Sequence, residues 1–222
     1  MRVTCVLFYR VNVVLDATGV ELSGALKPII SLGAGFCDGM DCGANTKASI
    51  VRIGLEEMIR FSKLFFPKVR TRTFFESCGL ADVVVSSYGG RTRRCAEAFA
   101  RAARAKKPRT WASLERELLH GQKLPTMERL QEVMECIRRL PPKQTARFPL
   151  FSATYSVAFR GAPPERLLKL PERVAWRHKT QGLQLLGGGQ NAVWILLAIV
   201  VATAGAILGV FFMAQPWRLL VA

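Results

Sequence analysis

The chain has 222 residues, half of them hydrophobic, with a formal net charge of +16. That length holds a single core of ordinary size. The six cysteines, at positions 5, 37, 42, 78, 95 and 136, include no CxxC pair, and His120 and His178 add no metal spacing. This excludes a disulfide scaffold or a zinc module, predicts no metal site and suits free thiols in a reducing compartment.

In chain order, RVTCVLFYRVNVV opens the sequence as a strand-like segment, and no strand-rich stretch follows residue 15. Ala25 to Leu32 suits a buried helix, although Pro28 complicates its start. Asn45 or Thr46 can cap a helix toward Phe65, with Ile50, Ile53, Met58 and Ile59 on one face and Pro67 ending it. Further helices are predicted from Phe74 and over Ala81–Ser86. Gly89-Gly90 breaks the chain, and Thr92 begins a helix through Ala103. RAARAKKPR, Arg101 to Arg109, reads as an exposed loop. Trp111–Leu119, Met127–Leu140 and Pro149–Phe159 complete the helical pattern, which predicts a mainly α domain.

One helix carries the sharpest chemical signal. Between Leu22 and Phe36 the only charge is Lys27. A cation in such a run loses hydration unless it is partnered, and desolvation moves a lysine toward the neutral amine that can exchange a proton. A lysine that snorkels from the helix into solvent is the plain alternative.

Lys27 sits within a series of separated motifs: GALK at Gly24–Lys27, GAGFCDG at Gly33–Gly39, NTKA at Asn45–Ala48, FFESCGLADVVVSSYGGRTRR at Phe74–Arg94, AEAFAR at Ala96–Arg101, LERELLHGQKL at Leu114–Leu124 and FPLF at Phe148–Phe151. In this order they resemble the C-terminal, substrate-binding half of NAD-dependent glycerol-3-phosphate dehydrogenase, from about Arg2 to about Pro171. The resemblance implies an all-α substrate-binding and dimerisation domain of the 6-phosphogluconate-dehydrogenase C-terminal type, an NAD-linked hydride transfer between glycerol 3-phosphate and dihydroxyacetone phosphate, and a homodimer. It implies that Lys27 is the acid–base group and that Asp82 and Ser86 line the pocket. Arg91 and Thr92 would hold the substrate phosphate at a helix start. Arg91, Gln122 and Lys123 would reach the cofactor.

The same resemblance exposes departures. Pro28 stands where the family carries a substrate-binding asparagine, Ala44 replaces an acidic residue, Ser86 replaces threonine and Thr92 replaces asparagine. Pro28 means either that the helix begins near Lys27 or that the pocket is altered. A dinucleotide site needs a strand, GxGxxG and a helix. The nearest string, Gly33 to Asp38, puts Asp38 where the third glycine belongs, so most of the NAD site is expected outside this sequence. The expected organisation is a remnant of the nucleotide-binding domain over 1–20, the α domain over 21–171, a basic, Gly-containing linker over 172–191, a transmembrane helix over 192–214 and a short tail over 215–222.

That last helix, Ala192 to Ala214, is uncharged, with Trp194 and Trp217 near its ends. Arg166, Lys169, Arg173, Arg177 and Lys179 precede it and only Arg218 follows, which predicts a cytosol-facing α domain, or a cytoplasmic protein if the helix does not span. The charge itself is compatible with anionic lipid or phosphorylated small molecules, and with a merely solvated basic surface. Aromatic residues do not interleave the basic runs, so nucleic acid is not expected. A membrane-anchored, non-catalytic relative that binds phosphorylated ligands or dimerises shares every motif above. Pro28 favours it.

Overall fold

The computed structural model describes residues 4–6, 9–11 and 13–170. The span predicted at 192–214 and its linker lie outside these residues. Two short strands, β1 (Thr4–Val6) and β2 (Tyr9–Val11), pair antiparallel with Cys5 opposite Arg10. The remainder is helical: α1 (Ala17–Gly39), α2 (Ala44–Phe65), α3 (Asp82–Gly89), α4 (Arg91–Arg104), α5 (Trp111–Leu118), α6 (Thr126–Arg138), the single turn α7 (Pro142–Thr145) and α8 (Pro149–Arg160). A 3-10 segment (Thr71–Phe75) and one wide π turn (Ser77–Ala81) lead into α3, where an ordinary helix from Phe74 was expected. Ala17–Val20, grouped above with the leading segment, belong to α1.

α1 is the axis, and α2, α3, α4, α6 and α8 pack around it. It starts well before Lys27, at Asp16, whose carboxylate accepts from the Gly19 amide (3.0 Å), the Arg70 amide (2.9 Å) and the Thr73 hydroxyl (2.6 Å). Burial pushes the Asp16 pKa up, but these donors outweigh it and the net shift is downward. Pro28 therefore lies inside a continuous helix. It has no N–H to give the Gly24 carbonyl one turn back. The helix is long and apolar enough to cross a bilayer, but 61% of its most apolar stretch is buried against its neighbours. It is a core helix, with Leu26, Ile29, Ile30, Leu32 and Phe36 meeting Met58, Leu130, Phe148 and Phe151.

The second half of α1 is fitted to α4 through small residues. A Cβ on Gly35 would stand 2.3 Å from the Arg93 carbonyl oxygen and 2.6 Å from Ala96 Cβ; one on Gly39 would stand 2.5 Å from the Glu97 carbonyl oxygen and 2.6 Å from Ala100 Cβ. Real atoms do not approach so closely, so the two backbones meet here only because both glycines lack a side chain. The GAGFCDG string is thus a packing seam. The helix then ends with Asp41 in the left-handed region (φ 57), the Asp41 amide bonding the Asp38 carbonyl (3.0 Å) and the Cys42 amide the Cys37 carbonyl (3.1 Å).

Two expected details differ. The cap of α2 is Gly43, with Asn45 and Thr46 inside the first turn. The helix expected through Ala103 ends at Arg104, so the first residues of the expected Arg101–Arg109 loop form its last turn, where Arg101 and Arg104 pair with Asp41 at 3.4 and 2.8 Å. Basic side chains near a helix C-terminus offset its exposed carbonyls, which lets α4 run on.

Below the seam, Glu57 of α2 is fully buried and accepts from the Leu150 (2.7 Å) and Phe151 (2.9 Å) amides at the start of α8. Burial raises its pKa to about 8, against the opposing pull of those amides.

Candidate active site

The first half of α1, the turn between α3 and α4, and the start of α6 enclose a cleft of about 400 Å³. Lys27, Pro28 and Ser31 supply one wall, Ser31 standing four and three residues after the other two, the steps that share a helix face. Beyond Pro28 the apolar run buries the helix, from Ile29 to Cys37. Lys27 is 23% exposed and its ammonium pairs with the Asp82 carboxylate at the first residue of α3. The partner that a lysine in an apolar helix requires is therefore present. Ser86, one turn after Asp82, sets its hydroxyl 3.5 Å from the other Asp82 oxygen and lines the cleft.

Opposite stands the start of α4. Gly90 caps this helix in extended backbone, and a Cβ there would meet the Ser86 carbonyl oxygen at 2.5 Å, so only glycine allows the chain to double back so tightly. Arg91 is consequently the first helical residue, and its guanidinium donates to the Gln122 side-chain oxygen at 2.7 Å. Amides in the first turn have no helical partner and face outward along the axis, a geometry suited to an anion. Thr92, expected to begin and cap the helix, lies inside it; its hydroxyl is 2.9 Å from that of Thr126, the first residue of α6.

Lys27, Ser86, Arg91 and Thr92 thus share one cleft, with Asp82 held on Lys27 and Gln122 on Arg91. Lys123 does not line it: it is 84% exposed and its ammonium reaches Glu115 at 3.4 Å. Thr126 and Arg129 do line it, and sequence reasoning missed both. Nothing in MERLQEVMECIRR distinguishes Arg129 from the ordinary polar face of an amphipathic helix. The lining carries three cations, Lys27, Arg91 and Arg129, and no carboxylate. Five described cysteines are free, and no three metal-ligating side chains cluster among the described residues.

Residues 16–169 match the family described as NAD-dependent glycerol-3-phosphate dehydrogenase C-terminus. The chain belongs to this family. It is 49% identical over 161 residues to glycerol-3-phosphate dehydrogenase 1-like protein of Mus musculus, covering 72% of this chain and 44% of that one. It is 46% identical over 156 residues to the cytoplasmic NAD(+) glycerol-3-phosphate dehydrogenase of Homo sapiens, covering 70% and 43%. The chain therefore spans less than half the length of these relatives. Among solved structures, glycerol-3-phosphate dehydrogenase of Plasmodium falciparum superposes with a TM-score of 0.68 at 38% identity, covering 75% of this chain and 45% of that one. Dunaliella salina DsGPDH gives 0.65 at 42% identity, with 72% and 27% covered.

Proposed function

We propose that this chain supplies the substrate-binding and acid–base half of an NAD-dependent glycerol-3-phosphate dehydrogenase, interconverting glycerol 3-phosphate and dihydroxyacetone phosphate. The observation that carries the reading is the cleft itself, with an ion-paired lysine on one wall and an arginine at a helix start on the other. When the ketone is reduced, the oxygen on C2 must gain a proton, and in the reverse direction it must lose one. Lys27 gives and takes that proton, Asp82 holds its ammonium in place, and the Ser86 hydroxyl hydrogen-bonds the same end of the substrate. The Arg91 fork and the free amides around Thr92 bind the phosphate.

The nicotinamide cofactor, when bound, accepts or supplies the hydride at C2. The described residues fit its edge: Gln122, bonded to Arg91, is the side chain that supports contact with it, and Lys123 follows on the same loop. They offer no dinucleotide loop, because Gly33 to Asp38 lie within α1, with Gly33 against Ile50 and Leu150 and Gly35 against α4. We read residues 1–20 as including the end of a preceding nucleotide-binding domain, 21–171 as the catalytic α domain and 192–214 as a membrane span. The charge asymmetry around that span supports a cytosol-facing domain, and the resemblance supports a homodimer.

Pro28 favours a second reading, a non-catalytic relative that keeps the phosphate site. It lines the cleft and removes both a side-chain amide and a backbone donor from the wall beside Lys27. Calorimetric titration of the purified chain with dihydroxyacetone phosphate tests the shared core of both readings. Saturable binding that is lost in Arg91→Ala is expected, and no binding by the wild-type chain would reject them. The readings part on turnover: NADH oxidation, once a relative's nucleotide-binding domain is supplied, supports the enzyme, and its absence alongside intact binding supports the non-catalytic relative.

A further inference from the structure

We infer that Arg129 is a second phosphate-binding residue, placed by α6 to neutralise the second charge of a substrate phosphate dianion held by Arg91. The inference deepens the substrate reading above and rests on it.

The placement follows from helix geometry and one hydrogen bond. Thr126 opens α6 and is 3% exposed, with its hydroxyl 2.9 Å from that of Thr92 in the first turn of α4. This contact fixes the starts of the two helices against each other. Arg91 immediately precedes Thr92, and Arg129 follows Thr126 by three residues, the spacing that puts two side chains on one face of a helix. Arg91 and Arg129 are thereby brought to the same end of the cleft, and both line it.

Charge accounting points the same way. Of the three lining cations, Lys27 is matched by Asp82. Arg91 donates to the neutral Gln122 oxygen and has no carboxylate partner among the described residues. Among the described residues Arg129 pairs only with Glu132, at 3.5 Å, and the two side chains are 49% and 65% exposed. Exposed pairs of this kind are worth little and yield readily to a better anion. A phosphate monoester carries between one and two negative charges near neutrality, with a second pKa of about 6. One guanidinium balances the first charge. Arg129 balances the second, which also offsets the loss of neutral donors where Pro28 stands.

The test is calorimetric titration of the full chain with glycerol 3-phosphate at pH 8, where the ligand is a dianion, and at pH 5, where it is mostly a monoanion. For Arg129→Gln we expect affinity to fall about tenfold at pH 8 and only about twofold at pH 5, the loss expected when a charge-assisted hydrogen bond disappears. Arg129→Lys keeps the charge and is expected to retain most of the affinity at pH 8. Arg139→Gln removes a 77% exposed arginine, paired with Glu135, and serves as the control expected to change neither value. Wild-type binding with an unaltered Arg129→Gln overturns the inference and leaves the substrate reading intact. An equal loss at both pH values overturns the assignment to the second charge. Absence of wild-type binding at both overturns the substrate reading and this inference together.

Discussion

The two halves of α1 make an instructive contrast. From Ile29 to Cys37 every residue is buried, and Gly35 and Gly39 admit no atom beyond hydrogen on the side facing α4. From Ala17 to Pro28 the same helix is half open and turns Lys27 toward a polar cleft. The first region is constrained by volume and the second by charge. A substitution at one end should therefore fail as a fold, and at the other as a ligand site.

The sharpest way to break this contrast is Gly35→Leu. Its Cβ meets backbone rather than a movable side chain, so we expect a loss of about 3 kcal/mol or more, read as a lowered urea midpoint with α-helical signal lost in parallel. A variant as stable as wild type would show that the seam can open. Glu57→Ala comes next. It strands two buried amides at the start of α8, and we expect about 2–3 kcal/mol of destabilisation.

The same carboxylate gives a pH signature. Its pKa is raised by burial to about 8 from 4.5, so between those values the folded state holds a proton that the unfolded state has released. Its contribution to stability is full below about pH 4.5 and declines as pH rises toward 8. Glu57→Gln, which cannot titrate, should flatten that part of the melting-temperature profile, and an unchanged slope would assign it to other groups.

Smaller effects sharpen the cleft side. Pro28→Asn restores an N–H to the Gly24 carbonyl and should raise stability by about 1–2 kcal/mol, less than the roughly 3 kcal/mol cost of an unadapted interior proline because asparagine is itself a poor helix former. Gain of stability with no change in dihydroxyacetone phosphate affinity would mean that Pro28 acts on the helix alone. Lys27→Met should change stability least, by about 1 kcal/mol or less, because the Lys27–Asp82 pair is partly exposed. A collapse of the fold in this variant would make the pair structural.

How much of this was legible depended on the range of the forces involved. The helices themselves follow local periodicity, and their approximate positions were readable. Lys27, Ser86, Arg91 and Thr92 stood out through motif order, and the cleft gathers all four. The start of α1 was not readable, because Asp16 is fixed as a cap partly by Arg70 and Thr73, more than fifty residues away. Pro28 consequently left open a helix start near Lys27. Arg101–Arg104 read both as the end of a helix and as the start of a loop, because a carboxylate that compensates them, Asp41, belongs to another element. Arg129 was invisible for the same reason: its significance lies in the Thr92–Thr126 contact, which no spacing encodes.

Pro28 touches the cleft and lies outside the glycine seam between α1 and α4. Inheritance can act on those two places separately. A lineage that altered position 28 would alter the cleft while the α1–α4 packing passed on unchanged, since the glycines that seat α1 on α4 are not among the residues that line the cleft. Shape and occupation are separable heritable traits in this domain, and the proline marks where they part.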